Sequence, residues 1–326
     1  MNLATDYLGL RLRNPLVVGA SPFCDDTYVA RRLEDSGAAA LVMRSLFEEQ
    51  LDPPPVLRRL PGQSATEAME SFPDTADYQL SPERYLRQVE HLKSQLSIPV
   101  IASLNGHRPG SWIGFAERLE QAGADAIELN FYQVVTAPAI AADQVETEML
   151  ETVGLITGAV KIPVAVKLSP FHASVAQLSV ALELAGAAGI VVFNRFYQPD
   201  INLEDVEVQS TLRLSEPSEL LLRLRWLAIL SPQLRASLAA TGGVHAWGDV
   251  AKSILAGANA VHVVSVVLKH GPPVISTLLH GLQSWMRCHG YEDVQQLCGL
   301  LNLKRCGDPA AFERANYIRT LQSWKV

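Results

Sequence analysis

One short phrase recurs along this chain and narrows the possible folds more than any other feature. Ser36-Gly37-Ala38-Ala39-Ala40-Leu41-Val42-Met43 returns as Ala122-Gly123-Ala124-Asp125-Ala126-Ile127-Glu128-Leu129. It returns again as Ala185-Gly186-Ala187-Ala188-Gly189-Ile190-Val191-Val192 and as Ala256-Gly257-Ala258-Asn259-Ala260-Val261-His262-Val263. Each copy reads as a helix end, a glycine able to take positive φ, a small residue and a short apolar run. A strand covered on both faces reads as a continuous apolar run, so the phrase is the joint between a helix and a buried parallel strand. Leu16-Val17-Val18 and the runs at 98–104, 164–168 and 234–240 supply the other strands. Eight strands alternating with helices predict a (β/α)8 TIM barrel. A doubly wound open sheet is the alternative, but its G-x-G-x-x-G fingerprint is absent.

The 326 residues fit one barrel domain over about 15–289 with an extension over 290–326. Tyr7 to Pro15 reads as an N-terminal hairpin that closes the bottom of the barrel, with Gly9 at its turn. The extension predicts a helical tail, Ala310 to Leu321, packing back on the barrel. Two stretches break the rhythm. Phe47 to Ser81, rich in proline, is expected to be a lid over the strand ends, and Arg195 to Pro217 is a second excursion on that side. A net charge of -7 argues against nucleic-acid partners. No run reaches transmembrane length and no secretory signal opens the chain, so neither membrane attachment nor export is expected. Four cysteines, none in a C-x-x-C pair, point to a reduced, cytoplasmic setting. Cys288, Cys298, Cys306 and His289 match no common zinc spacing, and no metal is expected.

In such barrels ligands sit at the C-terminal strand ends. Ala20 and Ser21 follow the first strand, Arg44 and Ser45 the second, Asn105 the third and Asn130 the fourth. Pro163-Val164-Ala165-Val166-Lys167 ends the fifth strand in a lysine. A buried ammonium needs an anionic partner or an opening to solvent, and a lysine there either binds a ligand or snorkels to bulk water. Asn194 and Arg195 follow the sixth strand, Thr241-Gly242-Gly243-Val244 the seventh and Val264-Ser265 the eighth. Asparagine both donates and accepts, which suits a planar heterocycle with alternating carbonyl and imide groups, although it is also a common turn residue. The glycine pair before a helix reads as a phosphate cradle or as a plain tight turn.

These phrases resemble the dihydroorotate dehydrogenase family, most closely its class 1 branch, of which this chain looks like a divergent member. The resemblance rests on Arg13-Asn14-Pro15 to Ser21, Met43-Arg44-Ser45-Leu46, Glu128-Leu129-Asn130, Val166-Lys167-Leu168-Ser169-Pro170, Thr241-Gly242-Gly243-Val244 and Leu255-Ala256-Gly257-Ala258 to Gly271-Pro272. It implies an oxidoreductase of pyrimidine biosynthesis that uses FMN on a CH–CH bond, oxidising dihydroorotate to orotate, and a homodimer. It places FMN against Ala20, Ser21, Ser45, Asn130, Lys167, Gly242, Gly243 and Ser265. Lys167, Asn130, Asn194 and Tyr132 are the implied catalytic set, and Arg44, Asn105, Asn194 and Arg195 the implied substrate contacts.

The chain also departs from that pattern. Where the family has Asn-x-Ser-Cys-Pro-Asn, this sequence has Asn130-Phe131-Tyr132-Gln133-Val134-Val135, so Gln133 stands in the place of the catalytic base. A neutral amide accepts no proton near neutral pH. Arg44 replaces a lysine, Arg195 a serine, and Val264-Ser265 a Gly-Thr pair. Tyr132, His107, His172 and Cys24 are the candidate replacement bases. Arg44 and Arg195 either clamp a carboxylate or pair with Glu48 or Asp200. Two other functions remain open: a flavin-binding protein without turnover, and a lyase that forms a Schiff base with a phosphosugar through Lys167.

Overall fold

The computed structural model describes residues 1–51, 81–106, 110, 112–195 and 197–323. Its strands are β1 Thr5–Tyr7, β2 Leu10–Leu12, β3 Leu16–Val18, β4 Ala40–Val42, β5 Leu46–Phe47, β6 Val100–Gly106 and β7 Ala126–Phe131. They continue with β8 Val164–Leu168, β9 Gly189–Val192, β10 Pro199–Asn202, β11 Glu207–Ser210, β12 Ser237–Thr241 and β13 Ala260–Val263. Eight of these close a parallel barrel in the order β3, β4, β6, β7, β8, β9, β12, β13, with β13 returning to pair with β3. This is the predicted (β/α)8 TIM barrel. The second strand is interrupted: β4 ends before Arg44 and Ser45, and β5 resumes the pairing with β6 at Leu46 opposite Leu104.

The repeated phrase folds as its chemistry requires. Gly37, Gly123, Gly186 and Gly257 all take positive φ, each just past a helix end. A side chain there would be strained, so glycine lets the chain leave the helix and enter the next strand. The helices Thr27–Asp35, Pro82–Gln95, Trp112–Gln121, Ala142–Ala159, Val175–Leu184, Leu220–Leu230, Trp247–Ala256 and Val274–Cys288 lie between and after the barrel strands. Asp26 caps the first of them by accepting a hydrogen bond from the Tyr28 amide at 2.8 Å.

Two apolar shells result from the period of two along each strand. The larger lies between sheet and helices and includes Leu16, Val18, Leu41, Leu104, Ile127, Leu129, Val166 and Leu168. The smaller fills the barrel with Val17, Ala40, Val42, Ile101, Ala126, Ala165, Val191, Ala239 and Ala260. Small residues dominate the inner set because the N-terminal hairpin needs the room. Tyr7 and Leu8 belong to this cluster and are 1% and 3% exposed. The Leu8 amide donates to Ser237 Oγ at 3.0 Å, at the start of β12. The Thr5 hydroxyl donates to the Asn259 carbonyl at 3.0 Å, just before β13. Gly189, first in β9, leaves space for Leu8: a Cβ there would lie 2.3 Å from Leu8 Cδ2. The hairpin therefore stoppers the N-terminal mouth of the barrel.

Three boundaries differ from the sequence reading. The excursion after β9 contains the antiparallel pair β10 and β11, with Ile201 opposite Val208. The seventh barrel strand begins at Ser237, not near Leu234, because Glu183 Oε1 accepts from the Arg235 amide at 2.6 Å and also from that of Ala236, and so closes a turn there. The tail forms the helix Arg314–Ser323, but none of its residues is buried. Residues 294–303 cover the barrel helices in its stead: Val294 and Leu297 are buried, and the amides of Gly299, Leu301 and Leu303 donate to the carbonyls of Ile254, Leu255 and Ala228 at 3.0, 2.8 and 2.8 Å. Residues 52–80 of the expected lid lie outside the described residues.

Truncating the stopper tests its weight. Leu8→Ala is expected to lower stability by about 2–4 kcal/mol in urea unfolding, because a buried leucine leaves a cavity the closed barrel cannot collapse. Arg11→Ala on the same hairpin breaks only an exposed pair with Asp6 and should change stability by less than about 0.5 kcal/mol.

Candidate active site

The inner face of the barrel is apolar at the hairpin end and turns polar toward the C-terminal strand ends. Along β7 the inward positions run Ala126, Glu128, Asn130, and along β8 they run Ala165, Lys167. Register sets Asn130 beside Lys167 and Asn105 of β6 beside Asn130. Lys167 is 8% exposed and Glu128 1%, and the Lys167 ammonium donates to Glu128 Oε1 at 3.4 Å. The carboxylate supplies the anion that a buried ammonium requires. Its other oxygen, Oε2, lies 3.8 Å from Nδ1 of His262, which points inward from β13. On the far side His262 Nε2 lies 3.5 Å from the Tyr7 hydroxyl, with the two rings edge to face. Burial pushes the His262 pKa down to about 4; the Glu128 carboxylate opposes that shift and the Lys167 ammonium adds to it. Burial first, and the Glu128 charge second, push the Tyr7 phenol well above its ordinary value.

Above this row sit the amides. Asn194, 7% exposed, donates through Nδ2 to Asn130 Oδ1 at 2.6 Å. Its backbone amide donates to the Leu168 carbonyl at 2.7 Å, which fixes the chain just past β9. Ser45 meets Ser103 of β6 hydroxyl to hydroxyl at 2.8 Å. Ser21 is buried and its hydroxyl has no hydrogen-bond partner among the described residues. Ala20, beside it, packs on the inner cluster. The structure thus brings Ser45, Asn105, Asn130, Lys167 and Asn194 to neighbouring positions on β5 to β9.

The glycine pair has its own geometry. Gly242 and Gly243 have φ of 89° and 81°. A Cβ on Gly243 would lie 2.4 Å from the Leu220 backbone nitrogen, and one on Gly242 3.1 Å from a guanidinium nitrogen of Arg223. No side chain fits there, so the peptide at this turn stays bare ahead of the helix Trp247–Ala256. Buried Arg223 holds the turn by donating through Nε to the Thr241 carbonyl at 3.0 Å. Ser265 Oγ accepts from the Ser215 amide at 2.9 Å and meets the Ser215 hydroxyl at 2.9 Å, so the loop before residue 217 reaches across to β13.

The arginines are held by acids. The Arg44 guanidinium donates to Asp25. Arg195 Nε lies 3.4 Å from Glu219 Oε2, and Arg195 also donates to the Arg213 carbonyl. Asp200 is taken by Arg213 at 2.7 Å. Of the candidate bases, Cys24 is buried, accepts from the Arg44 amide at 3.1 Å and donates to the Ser21 carbonyl at 3.2 Å. Burial pushes its thiol up to about 12, so it stays protonated and behaves as a small apolar residue. His172 is half-buried, its Nε2 has no hydrogen-bond partner among the described residues, and burial lowers its pKa. Tyr132 and Gln133 follow the inward Asn130 and are half-buried, whereas Val135 is 41% exposed. His107 lies outside the described residues. Among the described residues no group of His, Cys, Asp and Glu is arranged to hold a metal ion, and no helix is long and apolar enough to cross a membrane.

Sequence reasoning passed over Glu128 as a partner for Lys167, and passed over His262 and Tyr7. A signal was available. Ile127-Glu128-Leu129 and Val261-His262-Val263 each set a polar residue between apolar ones, which on a two-sided strand aims it into the barrel.

A closed (β/α)8 barrel whose buried charge pair and amides converge at the C-terminal strand ends has the layout of a barrel enzyme. Residues 2–286 match the family model described as dihydroorotate dehydrogenase, and the chain belongs to that family. It is 28% identical over 304 residues to the catalytic subunit of dihydroorotate dehydrogenase B (NAD(+)) of Methanosarcina mazei, covering 90% of this chain and 93% of that one. The corresponding subunit of Methanosarcina acetivorans is 30% identical over 220 residues, 66% of this chain and 70% of the relative. The NAD-dependent dihydropyrimidine dehydrogenase subunit PreA of Escherichia coli K12 is 23% identical over 320 residues, covering 92% and 77%. The chain is accordingly a dihydroorotate-dehydrogenase-like oxidoreductase, at modest identity to these relatives.

His262 has a measurable consequence for stability. Its folded pKa is depressed from 6.5 to about 4, so the native state favours the neutral ring. The stability this confers is fully present above about pH 6.5 and is lost as pH falls toward 4. Urea unfolding across that window is expected to show a loss on the order of 3 kcal/mol for the wild type beyond that of His262→Gln. Parallel profiles would mean that folding leaves the ring's protonation unchanged.

Proposed function

We propose that this protein is an FMN-dependent oxidoreductase acting on a CH–CH bond of a small cyclic amide, with slow or undetectable turnover of dihydroorotate itself. The observation that carries the reading is the Lys167 ammonium, buried beside the Asn130–Asn194 amide pair at the strand ends of a barrel of this family. The residues present fit the group. The buried Ser21 hydroxyl with no partner among the described residues, the two amides and the ammonium match a ring edge that carries carbonyl and imide functions. The bare peptides at Gly242 and Gly243, where a Cβ would meet Leu220 or Arg223, suit the approach of a phosphate. Ser265 would line that end together with Ser215.

When bound, FMN would supply the acceptor for a hydride, that is, for two electrons and a proton. In this reading Lys167 holds positive charge against the polar edge of the ring, and Glu128 keeps the ammonium in place. Ser45 and Ala20 border the ring. Asn105 and Asn194 orient the substrate, and Tyr132 stands beside the reacting carbon. Arg44 and Arg195, steadied by Asp25 and Glu219, present guanidinium edges to a substrate carboxylate. Proton removal is the weak step. Gln133 is an amide and the buried Cys24 thiol stays protonated, so neither supplies a general base. The cytoplasm as location and a homodimer as assembly belong to the same reading.

Gln133 also favours a second reading, a flavin-binding protein without dihydroorotate turnover. Two measurements decide. The purified protein is expected to be yellow, with flavin absorption bands and released FMN; a colourless protein that reconstitutes with no FMN would return Lys167 to the Schiff-base reading. Dihydroorotate mixed with the loaded protein in stopped flow is expected to reduce the flavin about 10²–10⁴-fold more slowly than an enzyme with a general base would. Gln133→Cys should recover only part of that, since Val135 and Arg195 remain. Fast reduction by the unmodified protein would show that another residue serves as base.

A further inference from the structure

Tyr7, His262, Glu128 and Lys167 form an unbroken row from the hairpin stopper to the strand ends. All four side chains are buried, and the row comes within one residue of Asn130. Charged or ionisable side chains are seldom placed so deep unless paired. The functional reading above uses Lys167 and its anchor Glu128, and leaves the other two unexplained. We propose that His262 is a positioning residue for charge: it takes up one proton, against Glu128, when two-electron reduction places negative charge beside Lys167, and gives it back on reoxidation. The inference rests on the reading that FMN lies against Lys167.

The geometry accepts both protonation states. With the ring neutral, the Tyr7 hydroxyl donates to Nε2 and Nδ1–H faces Glu128 Oε2. With the ring charged, Nε2–H donates back to the same hydroxyl, because a phenol both donates and accepts. His262 Nδ1 and Glu128 Oε2 are both buried without a hydrogen-bond partner among the described residues, and a proton on the ring places opposite charges across that 3.8 Å gap. The charged and titratable groups facing His262 are few. Tyr7 comes from β1, Glu128 from β7 and Lys167 from β8. Its register neighbours Val17 on β3 and Thr241 on β12 are uncharged, and Gly19 and Val264 close the remaining side. Burial first, and the Lys167 ammonium after it, oppose a positive charge on the ring. A negative charge above Lys167 offsets that opposition, while the Glu128 carboxylate goes on favouring the proton. The step balances: the substrate gives up one hydride, which carries both electrons, to the cofactor and one proton to solvent, and one proton from solvent ends on the imidazole.

The test is the pH dependence of the FMN midpoint potential in the loaded protein, wild type against His262→Gln. Each proton taken up per electron pair adds about 30 mV per pH unit to the slope. The wild type is expected to be steeper than the variant between pH 5 and 7, above the ring's value of about 4, by up to one such proton. Equal slopes in two flavin-loaded proteins would overturn the inference and leave the functional reading intact. A protein that binds no FMN would overturn the functional reading, and the redox trigger with it. Should His262→Gln fail to fold, the imidazole resonances of wild-type protein at pH 5 give the answer. On reduction with dithionite they are expected to move to imidazolium positions, and unchanged resonances would defeat the idea.

Discussion

The contact on which the interior depends is the buried pair of Lys167 and Glu128. A lone ammonium inside a barrel would lose most of its hydration with nothing in return, and the carboxylate one strand away makes the position tenable. The pairing constrains what lies around it. Glu128 must face inward on β7, so Asn130 two residues later does too, and the register with β6 brings Asn105 alongside. His262 then becomes the neighbour of a carboxylate oxygen, and Tyr7 the neighbour of His262.

The barrel divides into halves with different work. Toward the N-terminal strand ends the inner wall is alanine and valine, filled by Tyr7 and Leu8 from the hairpin. Small wall residues leave room for the large plug, as Gly189 does for Leu8. Toward the C-terminal ends the same inward positions turn polar. The His262–Tyr7 contact joins the two halves, so the hairpin is coupled to the candidate site and not only to stability.

Departures from the family pattern fall at several strand ends, Val264-Ser265 after the eighth strand among them. The amides, Lys167 and the glycine pair keep the family's residue types. Gln133, Val135, Arg44 and Arg195 do not, and both arginines have acidic neighbours of their own, Asp25 and Glu219.

Much of this was legible in the sequence. The repeated Ala-Gly-Ala joints and their apolar runs determined eight parallel strands, because a glycine with positive φ and a two-sided strand leave a local mark. The same logic placed Lys167, Asn130, Asn194 and the glycine pair at strand ends. The tertiary structure alone decided which of these touch. Glu128 and Lys167 are 39 residues apart, and His262 and Tyr7 are 255 apart. No local periodicity links them; only the closing of β13 onto β3 brings His262 toward the hairpin. The tail illustrates the converse. Its helical pattern was local and readable, but packing is a long-range matter that no local pattern encodes: residues 294–303 lie on the barrel helices, and the helix beyond them stays on the surface.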